Sequence, residues 1–144
     1  MAALTVKAVR QRIDAAMLAE GTFLKSRFAG ALFGADTRQL MHGAYAVGAI
    51  ETSVTTRQRQ KTSAGVMVDT AIDVHIAGRY RPDAQVADMD ALLDLEATAI
   101  QTVEGISRVD LHILYERSRR ELMAAAEFTT STIRFRAIHR IALA

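Results

Sequence analysis

The sequence predicts an α+β fold, a mostly antiparallel sheet with a long projecting β-hairpin and two helices packed on one face. Three observations predict it. Leu4 to Glu20 and Asp83 to about Gly105 repeat apolar residues at spacings of three and four, the period of a helix with one buried stripe. Val66 to Ala77 and Phe128 to Ile141 alternate side by side, the period of a strand with one buried face. Arg57 to Gly65 is a polar segment between two strand-like stretches of similar length, the sign of a hairpin over about 44–77. At 144 residues the chain fits one domain, 1–144, that buries roughly two thirds of its unfolded surface.

The elements follow in order. Thr5 is a candidate cap for a first helix in which Val6, Val9, Ile13 and Met17, with Leu18 as a further candidate, form the stripe and Gly21 ends it. From Thr22 to Gly43 the period weakens; Phe23, Phe28 and Phe33 pack inward, and Gly30 and Gly34 break any long helix. Ala44 to Thr56, rich in Val, Ile and Thr, reads as a strand, with Gly48 marking a bulge. In the next strand Val66, Val68, Thr70, Ile72, Val74 and Ile76 share one face, and Met67, Asp69, Ala71, Asp73, His75 and Ala77 share the other. After Pro82, Asp83 is the expected cap of a second helix with Val86, Met89, Leu92, Leu93, Ala97 and Ile100 inward and Asp88, Asp90, Asp94 and Glu96 outward. Val109 to Glu116 alternates as a third strand, and Arg117 to Ala126 reads as a connector. The last strand puts Ile133, Phe135, Ala137, His139 and Ile141 on one side and Arg134, Arg136, Ile138 and Arg140 on the other.

Composition narrows the function. With no cysteine, disulfides, thiolate catalysis, iron–sulfur clusters and cysteine-bound zinc are removed together. No apolar run approaches the roughly 20 residues of a membrane helix, so no membrane partner is expected. Lys7, Arg10, Arg12 and Asp14 are mixed into the N-terminal pattern, unlike a secretory leader. The net charge of +2 is laid out unevenly: nine basic and four acidic groups in 1–61, six and twelve in 62–127, three and none in 128–144. Opposed blocks of this kind suit a head-to-tail contact between copies, or are mixed over one surface by folding.

No self-sufficient catalytic signature stands in the chain, and neither a cofactor nor a metal is expected. His42, His75, His112 and His139 lack the spacing that gathers a metal. Asp69 and Asp73, four residues apart on one strand face, lie about 13 Å apart, too far for a direct acid–base pair. Gly30 to Gly34 lacks the lysine and hydroxyl of a phosphate loop. The candidate interaction residues are instead two basic clusters: Arg57, Arg59 and Lys61 at the hairpin tip, and Arg134, Arg136 and Arg140 on the last strand. Few aromatics accompany them, so sequence-specific reading of nucleic acid is not expected.

A small cysteine-free chain with an N-terminal helix, a long hairpin, a second helix and a closing strand pair resembles the tail terminators of tailed bacteriophages. Thr132-Ile133-Arg134-Phe135-Arg136-Ala137-Ile138-His139-Arg140 is similar to that family's last strand. The chain departs from the family at Met41-His42, where a proline is expected. The resemblance implies a non-enzymatic virion protein of the tail. It would form a homo-oligomeric ring, a hexamer, at the head-proximal end of the tail tube, end tube polymerisation and join the tail to the head–tail connector or stopper. DNA would pass through unread. Two further readings stand beside it. One is a small enzyme or ligand-binding protein similar to the NTF2-like family, with Asp73, His75 and His112 in an apolar pocket; the other is a different connector or tail-tube subunit.

Overall fold

Thr5 opens the first helix as its sequence requires, its hydroxyl accepting a hydrogen bond from the Ala8 amide at 3.1 Å and so satisfying one of the amides that a helix start leaves over. The computed structural model describes residues 3–25, 41–55, 65–123 and 127–142. Helix α1, Val6–Glu20, ends at Gly21 with φ of 90°, a left-handed conformation that glycine adopts without a Cβ clash. It buries Val9, Ile13 and Met17. The phase read from the sequence is the observed one for these residues, while Leu18 turns outward.

Five strands follow: β1 Leu24–Lys25, β2 Ala44–Val54, β3 Val66–Arg79, β4 Leu111–Met123 and β5 Phe128–Ile141, with helix α2, Gln85–Glu104, between β3 and β4. Their order across the sheet is β1-β2-β3-β5-β4. β1 pairs parallel with β2, and the remaining neighbours are antiparallel. This is the α+β class read from the alternation. β2 and β3 pair from Tyr45↔Ile76 to Val54↔Val68; Arg57, Arg59 and Lys61, the expected hairpin tip, lie outside the described residues.

Both helices pack on one face and share a core with it. Val9, Ile13 and Met17 of α1 and Leu95, Ala99 and Val103 of α2 join Tyr45, Ile72, Val74, Ile76, Ile133 and Phe135 in one apolar cluster. Burial of this kind is the main stabilising term, about 25 cal/mol per Å² of apolar surface removed from water. Phe23 stands edge-on to Tyr45 with ring centroids 6.3 Å apart, which fastens the start of the connector to the core.

Four expectations are corrected. The bulge in β2 lies between Ala49 and Glu51, leaving Ile50 as the extra residue, while Gly48 pairs regularly with Asp73. Arg117 to Met123 is not a connector: β4 continues through it, with a second irregularity between Tyr115 and Arg117. Arginine and glutamate carry little strand signal of their own, but here they occupy an edge strand, where charged side chains are usual. Asp83 does not cap α2; the N-cap is Ala84, with no side-chain bond. Asp88 in the first turn instead holds the segment before the helix, accepting hydrogen bonds from the Arg81 amide at 2.8 Å and from its guanidinium.

The fourth correction concerns the phase of α2. Its buried residues are Asp88, Leu92, Leu95, Glu96, Ala99 and Val103, so two acids turn inward and Val86 and Leu93 turn outward. A hydropathy pattern places carboxylates outside, but each of these two has an arginine waiting. Glu96 accepts from Arg120 of β4 at 2.7 Å and from the Ser131 hydroxyl of β5. A buried carboxylate is tolerated when paired and hydrogen-bonded in this way.

Candidate interaction surface

The sheet face away from the helices is built by the odd positions of β3 and the even positions of β5, as strand alternation dictates. Cross-strand register sets Asp73 beside Arg134, Ala71 beside Arg136, Asp69 beside Ile138 and Met67 beside Arg140. β4 adds Leu114 beside Arg136, Arg117 beside Arg134 and Arg119 beside Thr132. The arginine-lined face read from the last strand therefore exists, with all three of its arginines on it.

Two of those arginines are paired within the sheet. The Arg134 guanidinium grips Asp73 with two bonds, Nε to Oδ1 at 2.7 Å and Nη2 to Oδ2 at 2.9 Å. Arg136 binds the Asp69 carboxylate. Hydrogen bonds to their aspartates raise the pKa of both guanidiniums, which therefore keep their charge. Arg140 differs: its Nε is buried and finds no hydrogen bond among the described residues. Asp69 and Asp73 sit where the alternation puts them, but they serve the arginines of the next strand. Sequence reading assessed them as a catalytic pair and missed this, although residues of opposite charge on two neighbouring alternating strands were the available signal.

The face carries both signs. Glu51, Asp69, Glu116, Arg134 and Arg136 line one open hollow of about 190 Å³; Asp73, His75, Arg117, Arg119, Glu121 and Arg134 line a second of about 260 Å³. Such an arrangement presents no continuous positive track for a phosphate backbone. It offers alternating charge, which sets register and excludes wrong partners in a protein contact. Folding also joins the charge blocks: Asp69, Asp73 and Asp110 of the acidic centre pair with Arg136 and Arg134 of the C-terminal block and Arg12 of the N-terminal block.

His75 is on this face, with Nδ1 3.1 Å from the Thr132 hydroxyl, and burial lowers its pKa against the opposing pull of Asp73. His112 is exposed beside Ile138. Asp73, His75 and His112 thus lie on the open face and not beneath the helices, where the ligand-pocket reading needs them. Beneath the helices, among the described residues, lie the apolar cluster and two sets of buried polar groups. One is the Glu96–Arg120–Ser131 set. In the other, His139 joins the Leu4 carbonyl at 2.9 Å through Nδ1 and the Thr70 hydroxyl at 2.8 Å through Nε2. The carbonyl can only accept, so Nδ1 carries the proton and Thr70 donates to Nε2. Desolvation lowers the His139 pKa. The bond, with that of the Leu4 amide to the Arg140 carbonyl at 2.7 Å, ties the start of the chain to β5.

Among the described residues no three His, Asp or Glu side chains gather in a group able to hold a metal ion, and no helix is long and apolar enough to cross a membrane. No protein-family model matches the chain, and no curated protein matches it at a significant level.

Proposed function

We propose that the protein is a structural subunit of a bacteriophage tail, assembling into a ring of identical copies at the head-proximal end of the tail tube. In this reading it ends tube polymerisation and joins the tube to the head–tail connector or stopper, with DNA passing through the ring unread. The observation that carries it is the sheet face away from the helices, uncovered among the described residues and lined by charges of both signs held in fixed register. A face so organised is suited to another protein surface. The order of helix, short strand, antiparallel strand pair, helix and antiparallel strand pair agrees with the element order on which the resemblance to tail terminators rests.

The reading predicts a closed oligomer, and a mass close to six times the 15.7 kDa chain is expected by native mass spectrometry, alone or on incubation with tail tubes. A protein that stays monomeric and does not sediment with tubes contradicts it. The hairpin part has its own test. Arg57→Glu with Arg59→Glu is expected to release the protein from tubes or to block head joining; normal tail length and head joining with that variant would remove the tip from the interface.

A further inference from the structure

Part of the apolar stripe that periodicity assigns to α2 stays open among the described residues, although Leu92 is buried and Ile100 packs against the core. Val86 is 78% exposed and Leu93 38%, Ala97 is exposed, and Met89 and Ile100 are half-buried. Spacings of three and four put these residues on one flank of the helix. α2 therefore carries two apolar stripes, one buried in the core and one open. A hollow of about 300 Å³, lined by Tyr80, Val86, Met89 and Asp90 among others, indents the open one. Asp90 and Asp94, both exposed, border it and make no ion pair among the described residues.

The uncovered sheet face has the reciprocal character. Leu114 is 44% exposed there. Arg117 and Arg119 follow it on the same face, and the one ion pair among the described residues that involves either is a 4.0 Å contact of Arg119 with Glu121. We propose that the outward flank of α2 docks on the open sheet face of a second copy of this chain, Leu93 against Leu114 and Asp90 and Asp94 toward Arg117 and Arg119. A helix laid on a sheet face is one of the few stable layer arrangements that cover one. Two α2 flanks meeting each other would set acid against acid, which disfavours a symmetric dimer. Because helix flank and sheet face lie on different sides of one subunit, the contact is head-to-tail and repeats until it closes. This rests on the ring reading above and names its subunit contact.

The absence of cysteine allows a direct test with a short bis-maleimide. Leu93→Cys mixed with Leu114→Cys is expected to give cross-linked pairs containing one chain of each, the double variant a ladder up to the ring size, and each single variant no cross-link. Asp90→Lys with Asp94→Lys should weaken assembly on the order of tenfold. Arg117→Glu with Arg119→Glu should do the same, and the four changes together should restore it. Rings that form without the 93–114 cross-link overturn this contact and leave the ring reading standing. Efficient cross-linking of Leu93→Cys to itself also overturns it, in favour of a symmetric interface. A chain that stays monomeric at every concentration, with and without tubes, overturns both.

Discussion

Asp73 shows how one residue's neighbours decide its role. Read along the chain it is a carboxylate with a histidine two positions on. Read across the sheet it is half of a two-bonded pair with Arg134 and almost fully buried. Truncating Arg134 strands that carboxylate, so Arg134→Ala is expected to lower stability by about 2 kcal/mol. Arg136→Ala, in which the lost guanidinium is about half exposed, is expected to change the urea midpoint far less. Equal losses in the two variants would contradict this ranking. His139 makes the second prediction at this scale. Burial holds its pKa, and that of His75, below the ordinary 6.5. As pH falls below that value the unfolded chain takes up protons that the folded chain refuses, so stability is complete above pH 6.5 and declines beneath it. The urea midpoint is expected to drop between pH 7 and pH 5, and more shallowly in His139→Gln. A further decline is expected below pH 4, as Asp88, held down to about 2 by the Arg81 guanidinium, gains its proton. A midpoint that is flat from pH 7 to pH 5 would contradict the histidine argument. That His139 faces the core was legible from its place in the alternation, but its bond to Leu4, 135 residues away, was not, because no local pattern encodes so distant a contact.

At the scale of elements, strands were more legible than helix faces. β3 and β5 have strict alternation and emerged with their faces assigned, since a slip of one residue would turn every apolar side chain to water. β4 was read as too short because Arg117-Ser118-Arg119-Arg120-Glu121 is charged on both faces, and its inward arginine, Arg120, is acceptable only through Glu96. α2 offered two apolar stripes, and the inward one could not be chosen without knowing that Asp88 and Glu96 had arginine partners in other elements. The phase has a direct test. Leu92→Ala removes a side chain that is 1% exposed and is expected to lower stability by about 3 kcal/mol, whereas Leu93→Ala should leave it nearly unchanged; the reverse ranking would overturn the orientation. Gly65 supplies another element-scale prediction. It has φ of +110°, and a Cβ there would lie 2.1 Å from the Ile141 carbonyl oxygen. Gly65→Ala is expected to pull the β3–β5 pairing apart at that end, with a fall in melting temperature of several degrees, and an unchanged melting temperature would contradict it.

For the whole molecule, the layered arrangement explains why function is sought at a surface. Both helices pack on one side of a five-stranded sheet and share an apolar core with it. Among the described residues no element covers the other side, which is ordered by ion pairs. The uneven charge along the sequence is partly consumed within the fold, through Asp69, Asp73 and Asp110, and the acidic flank of α2 and the basic stretch of β4 are among the described charges left open to a partner. Neither could be isolated from the linear charge blocks, since which charges cancel depends on strand register. The fold class, the arginine-lined face and its alternation were readable in advance; the neutralisation of that face was not. The central claim is that copies of this subunit close into a ring that caps a tail tube. Negative-stain electron microscopy of the purified protein, alone and mixed with tail tubes, tests it most directly. The account predicts rings with a central hole, or tubes of fixed length capped at one end; dispersed single-chain particles and uncapped tubes in both samples would contradict it.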